Sequence, residues 1–229
     1  MTRSNSFVFG AKAPSEQMIK GFVLDHLRTE NPAWARSVVA SEFCLGETGV
    51  RVDLALRGVE FLGIEIKSEL DTLKRLPTQI EAYKGYFDRV VLVVASCHVR
   101  HLDWSALREV DVWTMSASGR VDVVASRTKL PVAKCLSDLL TAEEMRRVAG
   151  GASAEDYQAA FFDVFSRRHG DTSRAFWDLV ETRPIAVDDL HELSRFRKER
   201  DRAVAWARQQ QQDWSSWSAS LAQVAQQVA

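Results

Sequence analysis

The sequence predicts an α/β fold with a mixed central sheet flanked by helices, followed by an all-helical C-terminal extension. Two observations support this fold class. Periodicity in the first 130 residues indicates the order helix, three strands, helix, strand, which favours a mixed sheet. After about residue 132 the strand patterns stop, and alanine, glutamate, arginine and glutamine become more frequent. We therefore expect a first domain over residues 1–130 and a helical region over residues 131–229.

The first helix is predicted over residues 14–29. Pro14 stands where the first turn of a helix tolerates proline, and Asn31-Pro32 ends the pattern. The side chains that recur at helical spacing are Met18, Ile19, Phe22, Val23, His26 and Leu27. Their spacing is the pattern that predicts the helix.

Three consecutive strands are predicted next. They cover residues 37–45, 50–57 and 60–67. In the second strand, Val52, Leu54 and Leu56 alternate with other residues, so we expect these three on one face of the sheet.

Further elements follow from the same patterns. A polar, basic loop over residues 68–76, a helix over 77–86, a strand over 90–95 and a hairpin of 111–116 with 120–126 are predicted. The run at 90–95 is continuously apolar, as expected of a strand buried on both faces. In the C-terminal region we expect three to five helices, with start caps at Thr141 and Ser153 and a last helix from about residue 187 to 211.

The hairpin between the second and third strands carries the candidate chemistry. Opposed residues of an antiparallel pair have a constant index sum, and a turn near Gly58 makes that sum about 118. This register places Asp53 opposite Glu65, and alternation adds Lys67 to their face. Paired carboxylates repel each other unless a cation compensates, and Mg²⁺ prefers such oxygen ligands. The alternative is a surface hairpin on which Glu65 and Lys67 only form an ion pair.

A resemblance to a known family rests on these residues. Asp53, followed after a hairpin by Glu65-Ile66-Lys67, resembles the PD-(D/E)XK nuclease superfamily, with Val52 in place of the proline. The resemblance implies a restriction-endonuclease-like core that binds Mg (or Mn) and hydrolyses DNA.

Two further features extend the resemblance. Gln79 and Tyr83 lie one helical turn apart and resemble the Q-x-x-x-Y element of RecB-like branches. Residues 51–88 are also similar to small bacterial proteins related to MmcB-type repair endonucleases. The resemblance covers residues 14–100, and the C-terminal helices lie outside it.

Roles for individual residues follow from the hairpin and the resemblance together. The expected catalytic residues are Asp53, Glu65, Lys67 and Gln79. The expected metal ligands are Asp53, Glu65, the carbonyl of Ile66, and Glu16. The expected contacts to nucleic acid are Arg51, Lys74, Arg75 and Tyr83. Each secondary residue has a structural alternative: first-turn charge for Glu16, an exposed helix position for Gln79, packing for Tyr83, and a solvated loop for the basic residues.

Composition limits the function classes. With 30 basic and 31 acidic residues the net charge is -1, so DNA binding requires a local basic surface. No apolar run approaches the ~20 residues of a membrane span, and no signal peptide is recognisable, so a soluble cytoplasmic protein without a membrane partner is expected. The three cysteines, Cys44, Cys97 and Cys135, are expected to be reduced core thiols.

Three functional hypotheses remain open. The first is a metal-dependent deoxyribonuclease, with an endonuclease favoured, in DNA repair, restriction or phage defence. The second is a catalytically silent nuclease-fold module that binds nucleic acid or a partner protein. The third is an accessory subunit that cleaves only in a complex, with the C-terminal helices forming a homodimer or docking on a partner protein.

Overall fold

The computed structural model describes residues 14–116, 120–126, 136–148, 150, 152–194, 202, 206–214 and 217. Six strands form one sheet: β1 (Val38–Cys44), β2 (Arg51–Arg57), β3 (Phe61–Lys67), β4 (Arg89–Ala95), β5 (Asp111–Met115) and β6 (Val121–Ala125). The α-helices of the main unit are α1 (Glu16–Glu30), α2 (Leu76–Lys84), α3 (Ala142–Arg147) and α4 (Ala154–Leu179). Short 3₁₀ helices cover Pro32–Arg36, Gly46–Thr48, Ser96–His101, Leu136–Leu139 and Val187–Leu193.

The sheet is mixed, as predicted, and its strands lie in the order in which they occur along the chain. Strands β1, β2 and β3 are antiparallel, β3, β4 and β5 are parallel, and β6 is antiparallel to β5. The pairs Leu54–Ile64 and Ala55–Gly63 confirm the predicted hairpin register, since both index sums equal 118. Strand β4 is buried on both faces, which confirms the interpretation of its continuous apolar run.

The two faces of the sheet carry separate apolar cores. Helix α1 covers one face, which we call the α1 face, where Val23 and Leu24 pack against Leu54 and Ile64. Helix α2 covers the opposite face, the α2 face. On the α2 face a Cβ atom at Gly63 would lie 2.5 Å from the ring of Phe87, so only glycine permits this close packing.

Helix α1 forms over most of the predicted segment, and its apolar residues differ in burial. Ile19, Val23 and Leu27 are buried, whereas Met18, Phe22 and His26 are only partly buried and line a groove. The buried stripe also includes Leu24 and Lys20. Pro14 precedes the N-cap Ser15 and does not lie in the first turn.

Strand alternation is also interrupted where it matters for the site. Val52 packs on the α2 face, although regular alternation would place it with Leu54 and Leu56 on the α1 face. In the neighbouring strand, Glu42 adopts a left-handed backbone with φ of 56°. Because this residue breaks the alternation of β1, Phe43 also turns to the α2 face. Glu42 and Asp53 lie opposite each other between the pairs Ser41–Leu54 and Phe43–Val52, and one carboxylate oxygen of each lies within 4.8 Å of the other.

Helix α4 joins both cores by passing the β1 edge of the sheet. Its first half contributes Phe161 and Phe165 to the α2 face, and its second half contributes Phe176 to the α1 face. The Ser173 hydroxyl accepts the backbone N–H of Val39 at 2.8 Å, which satisfies a donor of the edge strand. Covering an edge in this way removes a site for pairing between molecules.

The chain divides into one unit of Met1–Leu193 and a second of Ser194–Ala229. The predicted boundary at residue 130 does not coincide with this division, because α4 supplies side chains to both cores of the sheet. Helix starts at Thr141 and Ser153 are confirmed, and both form capping boxes. A continuous helix from residue 187 is wrong: a 3₁₀ helix, Val187–Leu193, is followed by non-helical Ser194.

Two other expectations can be compared with the structure. Cys44 and Cys97 are exposed free thiols, so the prediction of core thiols is wrong for both, and Cys135 lies outside the described residues. Within the described part of the chain, no helix combines the length and the apolar character needed to cross a membrane. The residues at the tip of the predicted hairpin, 117–119, are not described.

Candidate active site

The candidate site lies where strands β2 and β3 part. Their paired residues end at Leu54–Ile64, one position before Asp53 and Glu65 would face each other. There the Asp53 carboxylate accepts the backbone N–H of Ile66 at 2.6 Å. The carboxylate of Asp53 thus takes the place of a backbone acceptor from the neighbouring strand. This hydrogen bond holds Asp53 where the two strands separate.

Glu65 is the centre of a buried group on the α2 face. The residue is 1% exposed, and its Oε1 accepts hydrogen bonds from Lys67 Nζ and Gln79 Nε2, each at 2.6 Å. Lys67 Nζ also donates to Gln79 Oε1 at 3.1 Å. Glu65, Lys67, Gln79 and Tyr83 are called the α2 cluster below. The sequence predicted separate roles for these four residues, and in the structure they form one hydrogen-bonded network.

Tyr83 belongs to this network and does not face solvent. Its side chain is fully buried, and its hydroxyl hydrogen-bonds to Glu65 and lies 2.9 Å from the carbonyl oxygen of Arg51. Burial, and then the negative charge of Glu65, raise the pKa of Tyr83 above its ordinary value, so the hydroxyl keeps its proton. The predicted contact of Tyr83 with nucleic acid is therefore wrong for this conformation, because its ring and hydroxyl are enclosed.

A second group lies at the start of α1. Lys20 is fully buried, and its ammonium forms ion pairs with Glu16, at 2.8 Å, and with Glu42. The second carboxylate oxygen of Glu42 pairs with Arg51 Nε at 2.7 Å. Glu16, Lys20, Glu42 and Asp53 are called the α1 cluster below. One carboxylate oxygen from each of its three acids lies within 4.8 Å of the others, an arrangement that could hold a metal ion.

Asp53 is the member of the α1 cluster whose charge also interacts with Glu65 of the α2 cluster. Burial, followed by the charge of Glu65, raises the pKa of Asp53 to about 7. The N–H of Ile66 and the charge of Lys20 oppose this shift and do not cancel it. Near neutral pH the carboxyl of Asp53 therefore gains or loses a proton readily, and a cation bound beside it would favour the ionised form.

The structure brings together most of the residues that were predicted for the site. Asp53, Glu65, Lys67 and Gln79 converge, and Glu16 joins them through α1. Lys74 and Arg75 are exposed at the start of α2, and Arg51 is exposed beside Glu42. For Ile66, the described contact is made by its N–H and not by the carbonyl that was predicted as a ligand.

Two residues of the site, Lys20 and Glu42, were not predicted from the sequence. Lys20 was not singled out, although its spacing of four residues from Glu16 on a helix allows an ion pair. The position of Lys20 within the apolar stripe of α1 could have indicated a buried ion pair. Glu42 was given little weight because regular alternation does not show that its backbone is left-handed.

The fold and the site define an α/β protein with a mixed sheet, in which two buried lysines lie among carboxylates of α1 and of strands β1, β2 and β3. The chain belongs to the bacteriophage P4 protein cII family, whose model matches residues 11–194. No curated protein matches. Among solved structures, the chain is similar to a protein of unknown function from Silicibacter pomeroyi, with 20% identity, a TM-score of 0.40, and coverage of 66% of this chain and 85% of that chain.

Proposed function

We propose that this protein is a magnesium- or manganese-dependent deoxyribonuclease with a PD-(D/E)XK core. The observation that carries the proposal is the convergence of Asp53, Glu65 and Lys67 where β2 and β3 part. The order of elements from α1 to β4 supports it, because the superfamily core has the same order of helix, three strands, helix and strand.

The donor set suits a hard divalent cation, since Asp53 and Glu65 offer carboxylate oxygens, with Glu16 and the carbonyl of Ile66 as further ligands. When bound, such an ion polarises the scissile phosphate and lowers the pKa of a coordinated water. Asp53 is held in place for this role by the N–H of Ile66.

Lys67 supplies a second positive charge beside the one that the metal ion would supply. Its ammonium is held by Glu65 and Gln79, so it is already oriented before a substrate arrives. A fixed positive charge next to the reacting phosphate stabilises the extra negative charge of the transition state. Gln79 acts as a positioning residue, because it contacts both members of the Glu65–Lys67 pair.

DNA is the proposed substrate, and its contacts would come from exposed basic residues near the site. Arg51, Lys74 and Arg75 can approach phosphates without reorganisation of the core. A local patch is required, because the net charge of the whole chain is -1. The family takes its name from a bacteriophage protein, and we place the reaction in phage-related DNA metabolism or defence, with DNA repair and restriction as the other settings.

Cleavage assays test the proposal directly. Single-stranded, double-stranded and branched DNA would each be incubated with the protein and Mg²⁺ or Mn²⁺. We expect metal-dependent cleavage that falls about 10²–10⁴-fold in Asp53→Asn and in Lys67→Met. Lys84→Met is the matched control, since Lys84 pairs with Glu81 and Glu109 away from the site. Absence of cleavage of every substrate, or full activity in both site variants, would refute the proposal.

The second candidate function is a nuclease-fold module that binds nucleic acid or a partner without cleaving DNA. It is favoured by the closed state of Glu65, whose carboxylate takes hydrogen bonds from three side chains. Calorimetry with Mg²⁺ separates the two candidates. A nuclease should show metal binding that Asp53→Asn removes, whereas a silent module should bind DNA equally well with and without the metal.

The C-terminal unit, Ser194–Ala229, is proposed as a docking segment for a second copy or a partner protein. Its described helical residues include Trp206, Trp214 and Trp217, which are all more than half exposed. Exposed tryptophans on a helix are typical of protein interfaces. Size-exclusion chromatography with light scattering on the full chain tests this, and a strictly monomeric protein would exclude the homodimer.

A further inference from the structure

Lys20 carries a fully buried ammonium group. A fully buried lysine is rare, because the free energy needed to remove an ammonium from water exceeds the stabilisation from most single contacts. Here the cost is offset by Glu16 at 2.8 Å and by Glu42. These two ion pairs also raise the pKa of Lys20 above its ordinary value against the opposing effect of burial, so the side chain stays charged.

The position of this ammonium resembles that of a bound cation. It contacts two of the three carboxylates whose oxygens lie within 4.8 Å of one another, and its charge acts on Asp53, the third. In two-metal nuclease sites the ions lie about 3.5–4 Å apart and share a carboxylate between them. Asp53 holds the sharing position here, since one of its carboxylate oxygens lies within 4.8 Å of those of Glu16 and Glu42, and the carboxylate also accepts the N–H of Ile66, the residue that follows Glu65.

The backbone supports the same interpretation. Glu42 reaches Lys20 from a left-handed conformation, with φ of 56°, that residues with a side chain rarely adopt. Such a conformation persists only where surrounding contacts stabilise it. The ion pairs of Glu42 with Lys20 and Arg51 supply those contacts.

We propose that Lys20 permanently occupies the second cation position of the active site, so that the site takes one divalent ion and not two. The inference rests on the proposed function, because it assigns the first ion to Asp53 and Glu65. Lys20 is then a positioning residue. It holds Glu16 and Glu42 in place and neutralises part of their charge without coming into contact with substrate.

Counting bound metal ions tests the proposal. Mn²⁺ binding to the metal-free full chain would be followed by electron paramagnetic resonance of the free ion. We expect one ion for the wild type and one additional ion for Lys20→Gln, because that substitution removes the ammonium from among the three carboxylates, while Arg51 still pairs with Glu42. Lys20→Arg keeps the positive charge and should match the wild type, as should the control Lys84→Gln.

A double variant locates the additional ion. Glu16→Gln combined with Lys20→Gln removes one carboxylate of the α1 cluster together with its cation, and should lose the additional ion. Thermal unfolding with and without Mn²⁺ gives a second readout. Lys20→Gln should gain more thermal stability from Mn²⁺ than the wild type does.

Two outcomes would overturn the proposal. One is two Mn²⁺ ions on the wild-type site, which decides the matter even if Lys20→Gln does not fold. The other is a folded Lys20→Gln protein that binds no more Mn²⁺ than the wild type. Failure of the proposed function is distinguishable, because it would appear as a wild type that binds no Mn²⁺ and cuts no DNA, whatever the difference between the wild type and Lys20→Gln.

Discussion

The α1 and α2 clusters both combine carboxylates with a lysine, yet they differ in access and in charge. In the α2 cluster, Glu65 and Lys67 are enclosed and balanced one to one. In the α1 cluster, three carboxylates lie near the ammonium of Lys20, Glu42 also pairs with Arg51, and both Glu16 and Glu42 are more than a third exposed. The first is a closed network in which the two charges balance, and the second is an open group with more carboxylates than lysines.

The site therefore combines an enclosed part, around Glu65, with a part that is open to solvent, around Glu16 and Glu42. Enclosure strengthens the hydrogen bonds around Glu65 and holds Lys67 in one orientation. Exposure of Glu16 and Glu42 lets water and salt screen their charges, so the α1 cluster is less tightly held than the α2 cluster. Asp53 couples the two, because its pKa depends on Glu65 and on Lys20.

The largest effect is expected from Lys67→Met. The substitution leaves Glu65 as a buried carboxylate without its cation, which should lower the free energy of unfolding by about 3–5 kcal/mol. Urea denaturation of the metal-free protein measures it. Lys84→Met, whose acidic partners are mostly exposed, should change stability by less than about 1 kcal/mol. Equal effects of the two substitutions would show that the α2 cluster is not closed in solution.

A smaller effect is expected from pH, through Asp53. Because its pKa is about 7 in the folded protein and 3.8 as a free side chain, the folded state holds one more proton between these values. The free energy of unfolding of the metal-free protein should therefore fall as pH rises from about 4 to 7, by roughly 3 kcal/mol. Asp53→Asn should lack this decrease. Parallel profiles for the wild type and the variant would contradict the raised pKa.

Tyr83→Phe tests the enclosure of Glu65 with a smaller expected loss of stability than Lys67→Met. The substitution keeps the ring and removes the hydroxyl that bonds to Glu65, at an expected cost of about 1–2 kcal/mol. Combining it with Glu65→Gln gives a double-mutant cycle, and a coupling energy of about 1 kcal/mol is expected. Strictly additive effects would mean that the two side chains do not interact.

The smallest change in stability is expected from Arg51→Gln in the open cluster. Arg51 is 61% exposed, so loss of its pair with Glu42 should change the free energy of unfolding by less than about 0.5 kcal/mol. If Arg51 contacts a phosphate, DNA binding should weaken and its salt dependence should decrease by about one ion. Titrations with DNA at several salt concentrations measure this, and unchanged binding would remove Arg51 from the DNA surface.

Local patterns predicted most elements of the sheet and the centre of the site. The hairpin around Gly58 could be assigned because its alternation and turn together allow only one register. Capping boxes at Thr141 and Ser153 were predictable for a similar reason, since their bonds join residues three positions apart. Periodicity failed at Val52, which packs on the α2 face opposite Phe43, the residue that follows the left-handed Glu42.

Short-range spacing was enough to predict the mixed sheet, the hairpin register and the grouping of Asp53, Glu65 and Lys67. The contacts of α4 with both faces of the sheet, and the position of Lys20 among the carboxylates, became apparent in the folded chain. These contacts join residues far apart in the chain, and no local period encodes them. The burial of Tyr83 beside Glu65 was decided in the same way, by the packing of α2 over β3.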